Sequence, residues 1–228
     1  MKILVACEES QAVTIELRKL GHEAYSCDII ECSGGHPEWH IRWDALALIN
    51  GNCSFMTENH ELHHIDSKWD MIIAFPPCTY LTAAGACRMY PEKGHIDPER
   101  YSKAQEAKRF FMAFYNADCD KVAIENPKPL RVVELPVESQ RVQPYEYAEN
   151  EDEFFTKMTY LWLKGLPQLK PLRTDKPENT RPFVNAGSKR ANGEPRKMTG
   201  CRSTAMDRSK TFKGIAKAMA EQWAGESL

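Results

Sequence analysis

The first thirty residues narrow the choice of fold more than any other part of the chain. "KILVA" at Lys2–Ala6 is a short apolar run that reads as a buried strand. Ser10 precedes "QAVTIELRKLGH", where Val13, Leu17 and Leu20 fall at helical spacing and Gly21 supplies a stop. "EAYSCDI" then reads as a second strand. A strand, a helix and a strand in so short a span form the βαβ unit, which joins parallel neighbours in a sheet. The alternation continues downstream. "WDMIIAF" is a strand closed by Pro76 and Pro77. The spacing predicts a helix from about Glu99 to Ala117, with Ala104, Ala107, Phe111, Phe114 and Tyr115 on its apolar side. "KVAIENP" is a further strand, again closed by proline, and "MTYLWL" a fifth. A last helix is expected at about 203–223. This order predicts an α/β domain, a mostly parallel open sheet with helices on both faces. At 228 residues the chain has room for one full core, so residues 1–228 are read as a single domain.

Charge is unevenly spread. Residues 170–213 hold twelve Lys/Arg against four Asp/Glu, a balance of +8, while residues 1–169 carry −9. The stretch at about 170–202 is also rich in Pro, Asn and Gly and reads as a long loop. It is either a solvated segment or a polyanion contact, with Lys189, Arg190 and Arg202 as candidate phosphate ligands. No run approaches the roughly 20 apolar residues of a membrane span, so no membrane partner is expected. The opening "MKILVACEES" lacks the apolar core and cleavage site of a signal peptide, which places the protein in the cytoplasm. The eight cysteines include no C-x-x-C pair and are expected to be reduced.

In open α/β sheets ligands bind beyond the carboxyl ends of the strands. The residues at those ends are Cys7–Ser10, Asp28, Phe75–Cys78 and Glu125–Asn126. Cys78 is either a buried small hydrophobe or a nucleophile, and Glu125 either an ion-paired strand-end carboxylate or an acid. Together a thiol and a carboxylate at neighbouring strand ends suit chemistry at carbon-5 of a pyrimidine. Thiolate addition at carbon-6 pushes charge toward ring nitrogen-3, where a carboxylic acid holds or supplies a proton. Two prolines ahead of the cysteine stiffen its turn. Asp28 is a turn residue or the ribose partner usual at this strand end. Cys27, Cys32, His36 and His40 form an unfamiliar C-x4-C-x3-H-x3-H pattern and read better as surface and turn residues than as a metal site. "SGGHPEW" reads as a loop over the cofactor site, its glycines allowing close backbone approach.

"FPPC" followed by "IENP" resembles the catalytic core of the S-adenosylmethionine-dependent DNA cytosine carbon-5 methyltransferases. More closely, the chain is similar to the short phage and prophage members that lack a full target-recognition domain. The similarity runs through "ILVACEES", "SGGHPEWHI", "FPPCTYLT", "IENP", "TYLWLKGLP" and "RSKTFKGIAKAMAEQW". The resemblance implies a Rossmann-like methyltransferase fold that uses S-adenosylmethionine and acts on DNA. It implies Cys78 as nucleophile, Glu125 as acid and Asn126 as the residue that orients the active-site loop. It also implies a cofactor site from the "ACEES" loop (Cys7, Glu8 and Ser10), Asp28 on the ribose, Asp44 near the adenine amino group, and Phe75 with Pro76 lining the pocket. "SKTFKGIAK" corresponds to a helix packed back on that site.

The chain departs from the family in three places. "CEESQ" replaces the usual glycine-rich loop, with no glycine before Gly21. No Arg-x-Arg strand is evident, and Arg141 and Lys157 are the candidate substitutes for base contact. There is no room for a recognition domain, so specific duplex reading is slight or comes from a helper subunit. Two other readings fit the same residues. One is methylation of RNA or of a free pyrimidine nucleotide, and the other is a catalytically idle member of the fold that binds nucleic acid or a partner.

Overall fold

The computed structural model describes residues 1–183 and 209–225. Seven strands form one sheet in the order β3-β2-β1-β6-β7-β10-β8. They are β1 (Lys2–Ala6), β2 (Glu23–Asp28), β3 (His40–Arg42), β6 (Met71–Ala74), β7 (Val122–Pro127), β8 (Gln140–Val142) and β10 (Thr159–Lys164). The five from β3 to β7 run parallel, and β10 is antiparallel to both its neighbours. The fold is therefore the Rossmann-like α/β sheet expected from the sequence, with its parallel strands all ending on one edge.

Alternation along each strand divides the core in two. Leu4, Tyr25, Ile72, Ile124 and Trp162 face one side and are covered by helix α3 (Pro98–Tyr115) through Phe111 and Phe114. The hairpin of β4 (Cys53–Met56) and β5 (Leu62–Ile65) packs on the same side. Ile3, Val5, Ala24, Ile73 and Ala123 face the other side, under α1 (Ala12–Lys19) and α5 (Lys213–Ala224). Short helix α4 (Pro144–Tyr147) abuts α5 so closely that a Cβ on Gly214 would lie 2.2 Å from the Tyr147 carbonyl. The short α2 (Ala86–Met89) follows the Cys78 loop, and β9 (Phe155–Thr156) pairs in parallel with β11 (Arg181–Pro182).

Several expectations are corrected. Tyr115 is exposed, because it sits at the last turn of α3 beyond the sheet. Residues 210–212 are not helical and interrupt the helix expected at about 203–223, which runs from Lys213 to Ala224; residues 203–208 lie outside the described residues. Ser10 does not cap α1. The N-cap is Gln11, in the left-handed region at φ 57° and without a side-chain cap bond. The capping acceptor is Glu8. Its carboxylate receives the Val13 N–H (2.7 Å), the Thr14 N–H (3.2 Å) and the Thr14 hydroxyl (2.7 Å). An anion at a helix N-terminus is stabilised by unpaired N–H groups and the helix dipole.

Glu8 is 4% exposed, and burial pushes its carboxyl up to about 7 against the bonds that favour ionisation. Below the unfolded value both states hold the proton. Between that value and about 7 only the folded chain does, so stability falls as pH rises across this window. Glu8→Gln removes the titration. Urea unfolding from pH 4 to pH 8 is expected to show a stability loss about 3 kcal/mol larger in wild type than in Glu8→Gln.

Candidate active site

β6 and β7 are adjacent and parallel, with Ala74 opposite Ile124, so the segments leaving them start side by side. Phe75 N–H donates to the Ala6 carbonyl at 2.9 Å, which adds the end of β1 to the same edge. Beyond Phe75 come Pro76, Pro77 and Cys78. Asn126 Nδ2 donates to the Pro76 carbonyl at 2.8 Å. The two outgoing segments are then stitched together. Ala83 N–H donates to the Lys128 carbonyl at 2.8 Å, Leu130 N–H to the Leu81 carbonyl at 2.7 Å, and Thr82 bridges to Pro129. Cys78 itself opens a tight turn, its carbonyl accepting from Leu81 and Thr82 N–H at 3.0 Å each.

Strand alternation sends Asn126 toward the α3 side and Glu125, with Ala123, toward the α5 side. Burial pushes the Cys78 thiol above its ordinary value, and the nearby Glu125 charge pushes it further; a backbone N–H and Lys157 pull it back. Burial likewise raises the Glu125 carboxyl, while the Lys157 charge and a hydrogen bond from the Thr159 side chain lower it. Cys78, Glu125, Lys157 and Thr159 thus form one electrostatic cluster. Lys157 is held by its backbone N–H on Gln143 Oε1 (3.0 Å) and by its ammonium over the Phe212 ring, 5.6 Å from the centroid. Thr159 faces Pro127 in the β7–β10 ladder. The participation of Thr159 and Phe212 was not read from the sequence, since only the β7–β10 pairing and the start of α5 bring them in.

The cofactor-side candidates gather at the ends of β1 and β2. Cys7 takes a left-handed φ of 59°, and Asp28 and Asp44 lie near enough to raise its thiol beyond the effect of burial. Asp28 is half-buried, its carboxyl raised by burial against backbone bonds from Ile30 N–H, at 3.3 Å, and Ile29 N–H. Ile29, next to it, is 74% exposed. Asp44 is exposed and caps the short turn Ala45–Ala47 through Leu46 N–H. Glu8 points into α1 rather than outward. Glu9 accepts from the Ser33 hydroxyl, and Gln11 exchanges two bonds with the His36 backbone. A Cβ on Gly34 would lie 2.6 Å from the Ser10 carbonyl. The glycines of "SGGH" therefore let this loop close on the "CEESQ" turn of the chain itself.

Other candidates are placed elsewhere. Arg141 lies with Tyr160 on the α3 side, its guanidinium 5.0 Å from that ring and its Nε on Glu138 at 2.6 Å, so the sheet separates it from Glu125. Lys189, Arg190 and Arg202 lie outside the described residues. His40 is buried between the Ser26 hydroxyl (2.8 Å) and the Ile30 carbonyl (2.9 Å), and the Cys27 thiol reaches the Trp43 carbonyl. Among the described residues no three metal-type side chains converge. A cleft of about 1010 Å³ between β3 and the β4–β5 hairpin is lined by Ile41, Trp43, Phe55 and Glu58, and holds neither Cys78 nor Glu125.

The cluster predicts opposite effects of its two charges on the thiol. With alkylation of Cys78 followed against pH, and Cys78→Ser as background, Lys157→Met is expected to move the reactive midpoint up and Glu125→Gln to move it down. Unchanged midpoints in both variants would remove the cluster.

No family model matches the chain, and no curated protein matches it. Among solved structures, one described as a "putative DNA modification methyltransferase encoded within prophage" from E. coli aligns at a TM-score of 0.42 and 13% identity, over 90% of this chain. The chain spans 62% of the length of that structure.

Proposed function

We propose that this protein is a methyltransferase that uses S-adenosylmethionine and acts at carbon-5 of cytosine in DNA. The observation that carries the reading is the joining of the Cys78 and Glu125 loops, with Lys157 acting on both groups. The Cys78 thiolate adds to carbon-6 of the ring. Charge moves toward ring nitrogen-3, where Glu125, its carboxyl raised by burial, supplies or holds the proton. Carbon-5 thereby gains the character of an enamine carbon. The carbon-5 proton is later lost and the thiolate is expelled. Asn126 keeps the Pro76–Cys78 segment in place through its bond to the Pro76 carbonyl. The base reaches Cys78 unpaired or flipped from a duplex.

The residues at the β1 and β2 ends fit the nucleoside part of the cofactor. The half-buried Asp28 carboxyl, held by the Ile29 and Ile30 N–H groups, suits ribose hydroxyls, and exposed Ile29 offers an apolar surface for a base. Asp44, Cys7, Phe75 and Pro76 complete that wall. When bound, S-adenosylmethionine supplies the electrophilic methyl group. One observation favours a second reading, a protein of this fold that binds nucleic acid without transferring methyl groups: Glu8 already fills the N-terminus of α1, where the usual loop leaves room.

Transfer of label from S-adenosylmethionine to DNA, RNA and dCTP separates the substrates. Wild type is expected to label DNA, Cys78→Ser to give none, and Glu125→Gln to lose about 10²–10⁴-fold in rate. No transfer to any of the three overturns the enzyme reading. By calorimetry, Asp28→Ala is expected to weaken cofactor binding about 10- to 100-fold through loss of hydrogen bonds to a charged acceptor.

A further inference from the structure

The geometry points to a nucleic-acid track formed by cations that rest on aromatic rings on either side of Cys78. The inference rests on the reading of the site as one that acts on nucleic acid, and it names the surface that holds the strand. On one side, the Arg100 guanidinium lies 5.0 Å from the centroid of Tyr80 and donates through Nη2 to the carbonyl of Thr79, the residue after Cys78, at 2.8 Å. Its Nε is buried and has no partner among the described residues. On the other side, contacts run outward from Lys157 without a break. Lys157 sits over Phe212, whose ring packs on Phe155 at 5.9 Å and on Phe183 at 4.8 Å. Arg181 lies over Phe155 at 5.1 Å, and Arg173 over the neighbouring Phe154 at 4.6 Å.

These guanidinium groups share ring stacking without an ion pair with Arg18, which lies over Tyr25 and Trp39, and differ from several other cations of the surface. Lys2, Lys19, Arg42, Lys68 and Lys217 are each paired with a carboxylate. Among the described residues no carboxylate lies within ion-pair distance of Arg100, Arg173 or Arg181. An arginine stacked on a ring is held in orientation; Arg100 and Arg173 each give one Nη2 donor to a carbonyl, of Thr79 and Ala148, and it is the remaining exposed N–H groups that would meet a phosphate. Arg100 beside the Cys78 turn and Arg181 at the end of the ring contacts leading out from Lys157 would meet phosphates of a strand whose base enters the site. The occupant is therefore a single polyanionic strand crossing the mouth between Arg100 and Arg181, whether free or lifted out of a duplex.

The test is fluorescence anisotropy of a labelled single-stranded oligodeoxythymidylate over a series of salt concentrations. Each phosphate contact on a single strand contributes about 0.7 to the slope of log affinity against log salt. Arg100→Ala and Arg181→Ala are each expected to flatten the slope by about 0.7. Arg100→Lys and Arg181→Lys are expected to keep it, and Lys68→Ala, ahead of β6 at the end of that strand opposite Cys78, to leave it unchanged. Circular dichroism melting checks that the alanine variants remain folded. Slopes equal to wild type in both folded alanine variants overturn the track, as does equal affinity for an uncharged-backbone oligomer. Binding with the expected slopes but no methyl transfer would remove the enzyme reading and leave the track standing. Methyl transfer to DNA with insensitive slopes would remove the track alone.

Discussion

The arrangement of the site depends on a hydrogen bond between two strand ends, from Asn126 Nδ2 to the Pro76 carbonyl at 2.8 Å. Pro76 and Pro77 have no N–H, so the segment leading to Cys78 cannot be tied down by its own backbone donors at those positions. The tie comes from the next strand instead. Asn126 is 1% exposed, and removing it would strand a buried carbonyl as well as lose the bond, a cost of about 1–3 kcal/mol. Alternation then has a chemical consequence. Because Asn126 points to the α3 side, Glu125 must point to the α5 side. The residue that fixes the loop and the carboxylic acid of the candidate site are adjacent in sequence and do not compete for the same space.

The turn after β1 meets a second constraint without the usual means. A sharp turn into α1 calls for left-handed backbone, which glycine adopts at no steric cost. Here Cys7 and Gln11 take φ values of 59° and 57°. Such residues cost on the order of 1–3 kcal/mol each and persist only when their surroundings hold them. Glu8, between them, makes three bonds to the first turn of α1, and Gln11 binds the His36 backbone in both directions. The offsetting bonds bring a buried carboxylate with them. They also draw the glycine loop at Gly34 down onto the turn, so two segments that face solvent in a glycine-rich turn are here one packed unit.

The parts of this structure legible from the sequence are those written in runs of apolar residues. "KILVA", "EAYSCDI", "WDMIIAF" and "KVAIENP" became four adjacent parallel strands because a strand buried on both faces needs an unbroken apolar run. β3, of three residues, and the hairpin of β4 and β5 were not legible: one is too short for a pattern, and the other carries exposed Met56 and Leu62 on strands half open to solvent. Ser10 precedes the helix without capping it; Glu8 reaches the N–H groups of its first turn from farther back with a longer side chain, which a reading of the residues beside the helix does not find. Cys78 and Glu125 were legible as strand-end residues next to prolines. Lys157 was legible only as one of two basic candidates. The choice between it and Arg141 depended on which face of the sheet each occupies, and that parity is set by the register of β10 against β7 and β8.

Burial works against one half of the site while helping the other. It raises the Glu125 carboxyl, which suits an acid, and it raises the Cys78 thiol, which does not suit a nucleophile. Each group's negative charge also disfavours that of the other. No apolar change around the pair can lower one and raise the other, because desolvation acts on both in the same direction. A cation within reach of both lowers both, and Lys157 occupies that place, with its ammonium against the face of Phe212. With the carboxyl ionised and the thiol protonated, the pair carries one negative charge set against the one positive charge of Lys157. Moving the proton from Cys78 to Glu125 leaves that total unchanged. The thiolate and the protonated acid can therefore be reached without placing a second negative charge in the site. In the proposed reaction, a pyrimidine between the two groups would meet a nucleophile at carbon-6 and a proton at nitrogen-3 as the two ends of one proton transfer.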